Sequence, residues 1–314
     1  MDNNYITQLR RLLAAGPLSQ SELAGRLGVT FAALNRWLNG HAQPRPAKLK
    51  AIEKLYREAV GYPSITERES SRIIRGANRL RVKDLWGRIE RNEKLQEDLL
   101  LEHTYNSTSI EGTTFTKNET KVVIFGKTAI PGKSLVEHLE VTNHAAVLRG
   151  IFRKRYPKRI TETLIRQLHQ DLMRGIQEDA GDYSKRQRVI AGVQIALTHP
   201  KDIPEEMGSL LRDWGRGPEE KTILEIARFH AQFELIHPFG DGNGRVGRLV
   251  MALQCLEFGF PPVVIENARK AEYYDVLEYA QKESDRPFVR FLADEMGRTG
   301  QILRKHFRAR IGAK

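Results

Sequence analysis

At 314 residues with 40% hydrophobic content, the chain has core enough for two domains joined by a helical arm. Its 51 Lys and Arg against 39 Asp and Glu leave a formal charge of +12, which favours acidic partners, nucleic acid foremost. The lone Cys255 excludes a disulfide within the chain and suits a reducing cytoplasm, and neither a signal peptide nor a membrane span is expected, because no long uncharged apolar run occurs.

Residues 1–58 read as one helical unit. Ile6, Leu9, Leu12 and Leu13 give an amphipathic helix that stops at Gly16-Pro17. Ser19 can cap a second helix, Gln20 to Leu27, with Glu22 completing a capping box. Gly28 makes a turn, Thr30 caps a third helix, Phe31 to Leu38, and a fourth follows Pro44 and Pro46 with Leu49, Ile52 and Leu55. The run from Ser19 to Thr30, followed by Trp37 and Gly40, resembles the helix-turn-helix of the Cro/repressor type, whose second helix lies in the major groove. The resemblance implies DNA contacts from Thr30, Phe31, Ala32, Asn35 and Arg36, with Gln20 at the backbone. Leu23, Ala24, Leu27, Val29, Leu34 and Trp37 would form the core. A bundle that docks protein is the alternative reading of the same residues.

Residues 59–101 are expected to hold a linker, broken by Gly61, Pro63 and Ser64, and then a charged helical arm bearing Leu80, Val82, Leu85, Trp86 and Ile89. In the next helix, about 102–112, Ser107 and Glu111 are four apart and share a face, and Gly112 fits the C-cap. Residues 134–176 read as two helices. Their histidines His138, His144 and His169, like His230 further on, have no metal spacing and are taken as packing or surface groups. Between Gly181 and Pro204 a period-two alternation through Val189, Ile190, Ala191, Gly192 and Val193 predicts a short strand pair or hairpin.

The densest chemistry lies in the twelve residues from His237 to Arg248 (HPFGDGNGRVGR). An amphipathic helix should end at Pro238, leaving His237 at its lip. A glycine turn follows, with Asn243 placed to cap the next helix. Such a turn aims backbone N–H groups and a helix dipole at one spot, an anion site. Arg245 and Arg248, three apart on the first turn, can both reach it. Asp241 is a hard oxygen ligand suited to a Mg²⁺ bridging phosphates. An imidazole's ordinary pKa of about 6.5 leaves it largely neutral at pH 7, as a general base must be.

This stretch resembles the Fic family motif HPFx[D/E]GNGRxxR at every specified position. The family is mostly helical, and most members transfer AMP from ATP to a protein hydroxyl. The resemblance implies that His237 is the base, Asp241 holds Mg²⁺, and Gly242, Asn243 and Gly244 cradle phosphates. Arg245 and Arg248 would serve the β- and γ-phosphates, and Phe239 would anchor the loop. Tyr105 to Gly112 resembles the family's inhibitory motif [S/T]xxxE[G/N], which implies that Glu111 pairs with Arg248. In some relatives the same Glu orients a water that removes AMP, so de-AMPylation stays open. The 181–204 stretch is similar to the family flap, which docks the target segment. Tyr273, Tyr274 and Gln281 resemble the residues that flank adenine, with Gln281 where relatives carry Asn.

The expected fold is therefore mainly α: an N-terminal helix-turn-helix bundle (1–58), a linker and arm (59–101), and an all-helical Fic core with a small β-hairpin flap (102–314). The expected activity is cytoplasmic protein adenylylation with ATP and Mg²⁺, on a hydroxyl of a target or of the chain itself. DNA is the expected partner of residues 1–58, and a homodimer is open. The alternatives are a DNA-binding regulator whose Fic core is a sensor or dimerisation module, and transfer of UMP, GMP or phosphocholine instead of AMP.

Overall fold

The computed structural model describes residues 4–14, 18–60, 65–187 and 196–309, which form two compact units, 1–66 and 67–314. Among the described residues there are helices and no strands. The flap positions Val189, Ile190, Ala191, Gly192 and Val193 lie outside the described residues.

The first unit holds α1 (Asn4–Ala14), α2 (Gln20–Arg26), α3 (Phe31–Leu38) and α4 (Pro46–Val60). Ser19 and Glu22 close the expected capping box, and the Thr30 side chain accepts from Ala33 N at 3.2 Å to start α3. The core gathers Leu9, Leu12, Leu23, Ala24, Leu27, Leu34, Trp37, Leu38, Ile52 and Tyr56; Val29 is half-buried against it. That core uses one face of α3. The other leaves Phe31, Ala32 and Arg36 exposed and Asn35 half-buried, as a helix read by a groove requires, and Gln20 is half-buried at the start of α2.

The second unit runs through α5 (Glu67–Asn78), α6 (Leu85–Glu90), α7 (Glu93–Glu111), α8 (Lys117–Lys121), α9 (Leu135–Phe152), α10 (Glu162–Leu172), α11 (Ile203–Arg216), α12 (Ile223–Ile236), α13 (Asn243–Glu257), α14 (Lys270–Lys282) and α15 (Arg286–Ala309). Part of the stretch expected as linker and arm thus forms α5, α6 and the first half of α7. The motif helix α13 is the centre: from Val246 to Leu256 every residue is buried. It packs against α12, α10, α7, α6 and α9, so apolar side chains are needed on all its faces and no amphipathic stripe remains. Burying so long a run, apolar but for Gly247, Arg248 and Gln254, is what fixes the N-terminus of α13, and with it the glycine turn.

A candidate nucleotide site at the turn between α12 and α13

Pro238 bars His237 from the right-handed helical region, so α12 ends there. His237 adopts φ 51° and ψ 58°, and its N–H donates to Phe233 O at 2.9 Å. Its Nδ1 lies 3.3 Å from Glu234 O. A carbonyl only accepts, so Nδ1 carries the proton and Nε2 keeps its lone pair.

The turn is clamped from inside. Asn243 was expected to cap α13; instead Gly242 is the cap residue, at φ 77°, and Asn243 is the first helical residue. Its Oδ1 accepts from Phe239 N at 2.8 Å and its Nδ2 donates to Phe239 O at 2.9 Å. Closing a buried loop on itself satisfies two backbone groups, more than a cap would. Gly242 also has Met173 Sδ 2.9 Å from where a Cβ would stand, so both its backbone angle and its space demand glycine.

His169 of α10, read from the sequence as packing, holds the loop from below. Its ring stacks on fully buried Phe239 at 3.8 Å and 3°. Gly181 N donates to its Nδ1 at 2.8 Å, so its Nε2–H donates to Asp241 O at 3.0 Å. That is the neutral tautomer, and burial lowers this imidazole to about 4.

Arg245 donates to Glu140 Oε1 of α9 at 2.6 Å and to Asp241 Oδ2 at 3.2 Å, and its Nε has no partner. The other Asp241 oxygen accepts from Gly242 N at 2.6 Å, yet 60% of this side chain is exposed. Asp241 is thus held from behind with its carboxylate at the surface, the disposition a Mg²⁺ needs when phosphates and water complete its shell. Among the described residues no three His, Cys, Asp or Glu converge into a metal cluster.

Arg248 is 2% exposed. Its Nε donates to Ser107 Oγ at 2.9 Å, and its Nη2 to Ser107 O at 2.9 Å and to Glu111 Oε1 at 2.6 Å. Nη1 is buried without a partner. Burial works against this cation, and Glu111 is first among the neighbours that favour its charged form. Glu111 therefore reaches from the C-terminal turn of α7 onto the N-terminus of α13. A Cβ on Gly244 would collide with the Glu111 carboxylate and lie 2.9 Å from Arg248 Nη1. A carboxylate already sits where the turn would receive an anion. Asn106, beside Ser107, accepts from Asn267 N at 2.9 Å and ties α7 to the approach of α14.

Of the base-pocket candidates, Tyr273 and Tyr274 meet, their ring centroids 5.1 Å apart. Tyr273 is buried, its hydroxyl 2.8 Å from His230 Nε2; Tyr274 is half-buried; Gln281 donates to Ala231 O at 2.9 Å. Cys255 is buried, and burial pushes its thiol up to about 12, as inert packing requires. Of the four histidines read as packing, His144 and His230 are buried and neutral, while His138 accepts from Ile130 N at 2.9 Å; only His169 touches the loop. His169, Glu140 and Asn106 were missed because each meets its partner far along the chain, and no local spacing marks such a meeting.

Residues 159–255 match the Fic/DOC family and residues 9–62 match a helix-turn-helix family. The chain is 32% identical over 213 residues to a protein adenylyltransferase Fic of Culex quinquefasciatus, covering 66% of this chain and 42% of that one. It is 30% identical over 254 residues to the Drosophila melanogaster protein of the same name, covering 79% and 51%. The chain thus spans about half the length of the curated relatives it matches. A crystal structure of a Fic domain containing signaling protein from Bacteroides thetaiotaomicron aligns with TM-score 0.61 at 25% identity, over 72% of this chain and 95% of that one. Fic-1 (residues 134–508) from C. elegans shares the fold, with TM-score 0.65 at 21% identity over 98% and 94%. With the motif whole, its turn closed, and relatives of that name on both sequence and fold, the chain carries a Fic/DOC domain behind an N-terminal helix-turn-helix.

Proposed function

We propose that the Fic unit transfers AMP from ATP to a Ser, Thr or Tyr hydroxyl of a protein, or of this chain itself, and that Glu111 restrains it by holding Arg248. The observation that carries this reading is the 2.6 Å ion pair between Glu111 and Arg248, seated on the N-terminus of α13. In the proposed reaction His237 Nε2 takes the hydroxyl proton, the oxygen attacks the α-phosphorus, and the bond to the bridging oxygen breaks to release pyrophosphate. Backbone N–H groups of Gly242, Asn243 and Gly244 receive the phosphates, and Arg248 takes the γ-phosphate once Glu111 lets go. Arg245, committed to Glu140 and Asp241, offers its charge to the β-phosphate while steadying Asp241. Asp241 is the proposed Mg²⁺ ligand; the ion, when bound, neutralises phosphate charge.

Tyr273, Tyr274 and Gln281 stay proposed at the base, and residues 189–193 as the strand that docks the target. Boundaries at 1–58, 59–101 and 102–314 belong to the same reading, as do a cytoplasmic site of action and a homodimer. The first unit is proposed to bind DNA through Thr30, Phe31, Ala32, Asn35 and Arg36, with Gln20 at the backbone. Among the described residues no helix is long and apolar enough to cross a membrane.

The test is incubation with Mg²⁺ and ATP labelled at the α- or the γ-phosphate. Retained α-label, lost in His237→Ala and raised in Glu111→Gly, supports adenylyl transfer; retained γ-label means kinase chemistry. No label in any form leaves the DNA-binding regulator with a sensor or dimerisation core. Incubating pre-modified target with wild type and Glu111→Gly reads de-AMPylation separately.

A further inference from the structure

One turn before His237, α12 buries an acid. Glu234 is 7% exposed, and its Oε1 has no hydrogen-bond partner and abuts Gly247 of α13, where a Cβ would collide with it. Its Oε2 lies 4.0 Å from His237 Nδ1, and its Oε1 lies 3.8 Å from His230 Nε2. The groups facing it come from four elements: His230 and His237 on α12, Arg248 on α13, Glu111 on α7, Tyr273 and Tyr274 on α14. Burial keeps His230 neutral, down to about 3, and raises both tyrosines, so neither supplies charge. The remaining cation, Arg248, is engaged by Glu111.

An ionised carboxylate in such a place would need donors on both oxygens, and Oε1 has none. The arrangement fits the acid form. Burial raises Glu234 to about 8, Arg248 pulling it down and Glu111 pushing it further up. Residue 234 thus meets the base twice, through its carbonyl at 3.3 Å and its carboxyl at 4.0 Å.

We propose that Glu234 is a positioning residue that acts through His237: a carboxyl group kept in its acid form on the Nδ1 side of the base, whose ionisation strengthens that base. The inference rests on His237 being the general base of the reading above. When the target hydroxyl gives its proton to Nε2, the Nδ1 proton stays in place and the ring becomes a cation. A Glu234 that has already released its proton to solvent faces that cation with a carboxylate; a protonated Glu234 does not. Withdrawal of Glu111 then does two things. It vacates the anion site, and it removes the negative charge that helps keep Glu234 protonated, so release from inhibition also sharpens the base.

The experiment is an NMR titration of the His237 ring in full-length protein carrying ¹⁵N-labelled histidine, its signals assigned by their loss in His237→Ala. Wild type, Glu111→Gly, Glu111→Gly/Glu234→Gln and Glu111→Gly/Glu234→Asp are compared, with pH profiles of AMP transfer alongside. The Glu111→Gly form should give two inflections for His237. The second should be absent with Glu234→Gln, present with Glu234→Asp, and at higher pH when Glu111 is restored. Rates of the Glu234→Gln form should match its parent at low pH and fall roughly threefold behind on the alkaline limb, as a weaker base does. Superimposable His237 curves with Glu234 and with Glu234→Gln overturn the proposal, whatever the rates. Two inflections without AMP transfer in any form would sink the proposed activity and leave the coupling standing. Thermal melts of each form identify a variant that fails to fold, and Glu234→Asp then decides alone.

Discussion

Replacing Glu111 by glycine isolates the step on which the proposed regulation turns. In the resting protein the carboxylate makes a 2.6 Å contact with Arg248, a cation only 2% exposed. A hydrogen bond between charged groups contributes about 1.5–3 kcal/mol net, and the γ-phosphate must displace it before Arg248 can serve the nucleotide. Each 1.4 kcal/mol is tenfold, so Glu111→Gly should tighten ATP binding by about 10- to 100-fold. AMP transfer should rise at least as much if the displaced carboxylate also spoils the alignment of the α-phosphate. Nucleotide-free protein should pay the opposite way. Arg248 keeps Ser107 Oγ and Ser107 O as partners but loses its counter-charge, and an uncompensated buried charge costs about 3–5 kcal/mol at the upper limit. Glu111→Gly should therefore melt lower without ATP and recover more than wild type when ATP is added. Calorimetric titration with ATP and Mg²⁺, beside melts with and without nucleotide, reads both effects. A lower melting temperature with unchanged ATP affinity would refute the reasoning, since the pair would then be structural and not a competitor.

Other expected outcomes follow from single contacts. Gly244→Ala drives a methyl into the Glu111 carboxylate and Arg248 Nη1; it should cost about 1–3 kcal/mol in stability and weaken ATP binding even with Glu111→Gly, because the methyl stays in the anion site. His169→Gln removes the ring under Phe239, and AMP transfer should fall roughly tenfold with modest loss of ATP affinity, measured as a kcat against KM split. Glu234, raised to about 8 in the fold, holds a proton that the unfolded chain loses near pH 4.5, so its contribution to stability is present below about 4.5 and lost as pH rises through 8. Chemical denaturation should show Glu234→Gln gaining on wild type by up to about 1.4 kcal/mol per pH unit across that window; a flat difference means the carboxyl is ionised in the native state. For the first unit, Arg36→Ala should weaken DNA binding and flatten the dependence of log K on log salt, whereas a salt-independent affinity would exclude phosphate contacts as its source.

How much could be read in advance depended on how far apart the cooperating residues lie. From His237 to Arg248 the base, the anion turn, the carboxylate and the arginines are consecutive. The backbone alone brings them together, and their order carried both the family and the proposed chemistry of the site into view. The capping box at Ser19 is legible for the same reason, being an exchange between residues three apart. Asn243 shows where local preference gives way. As a free peptide it would cap α13; in the buried loop it closes on both polar groups of Phe239, since a buried backbone left unpaired costs more than a cap returns.

Sequence by itself determined the helical class, the helix-turn-helix and the glycine-turn motif, and the family resemblance it carries implied the pairing of an acid on α7 with a motif arginine. Tertiary structure decided what charge and proton each group carries and which neighbours hold it. His169 under the loop, Glu140 behind Arg245 and Glu234 behind His237 are set by helices that meet only in the folded chain. A pKa answers to burial and to charges within a few ångströms, and neither quantity is written in the order of residues along one strand of chain.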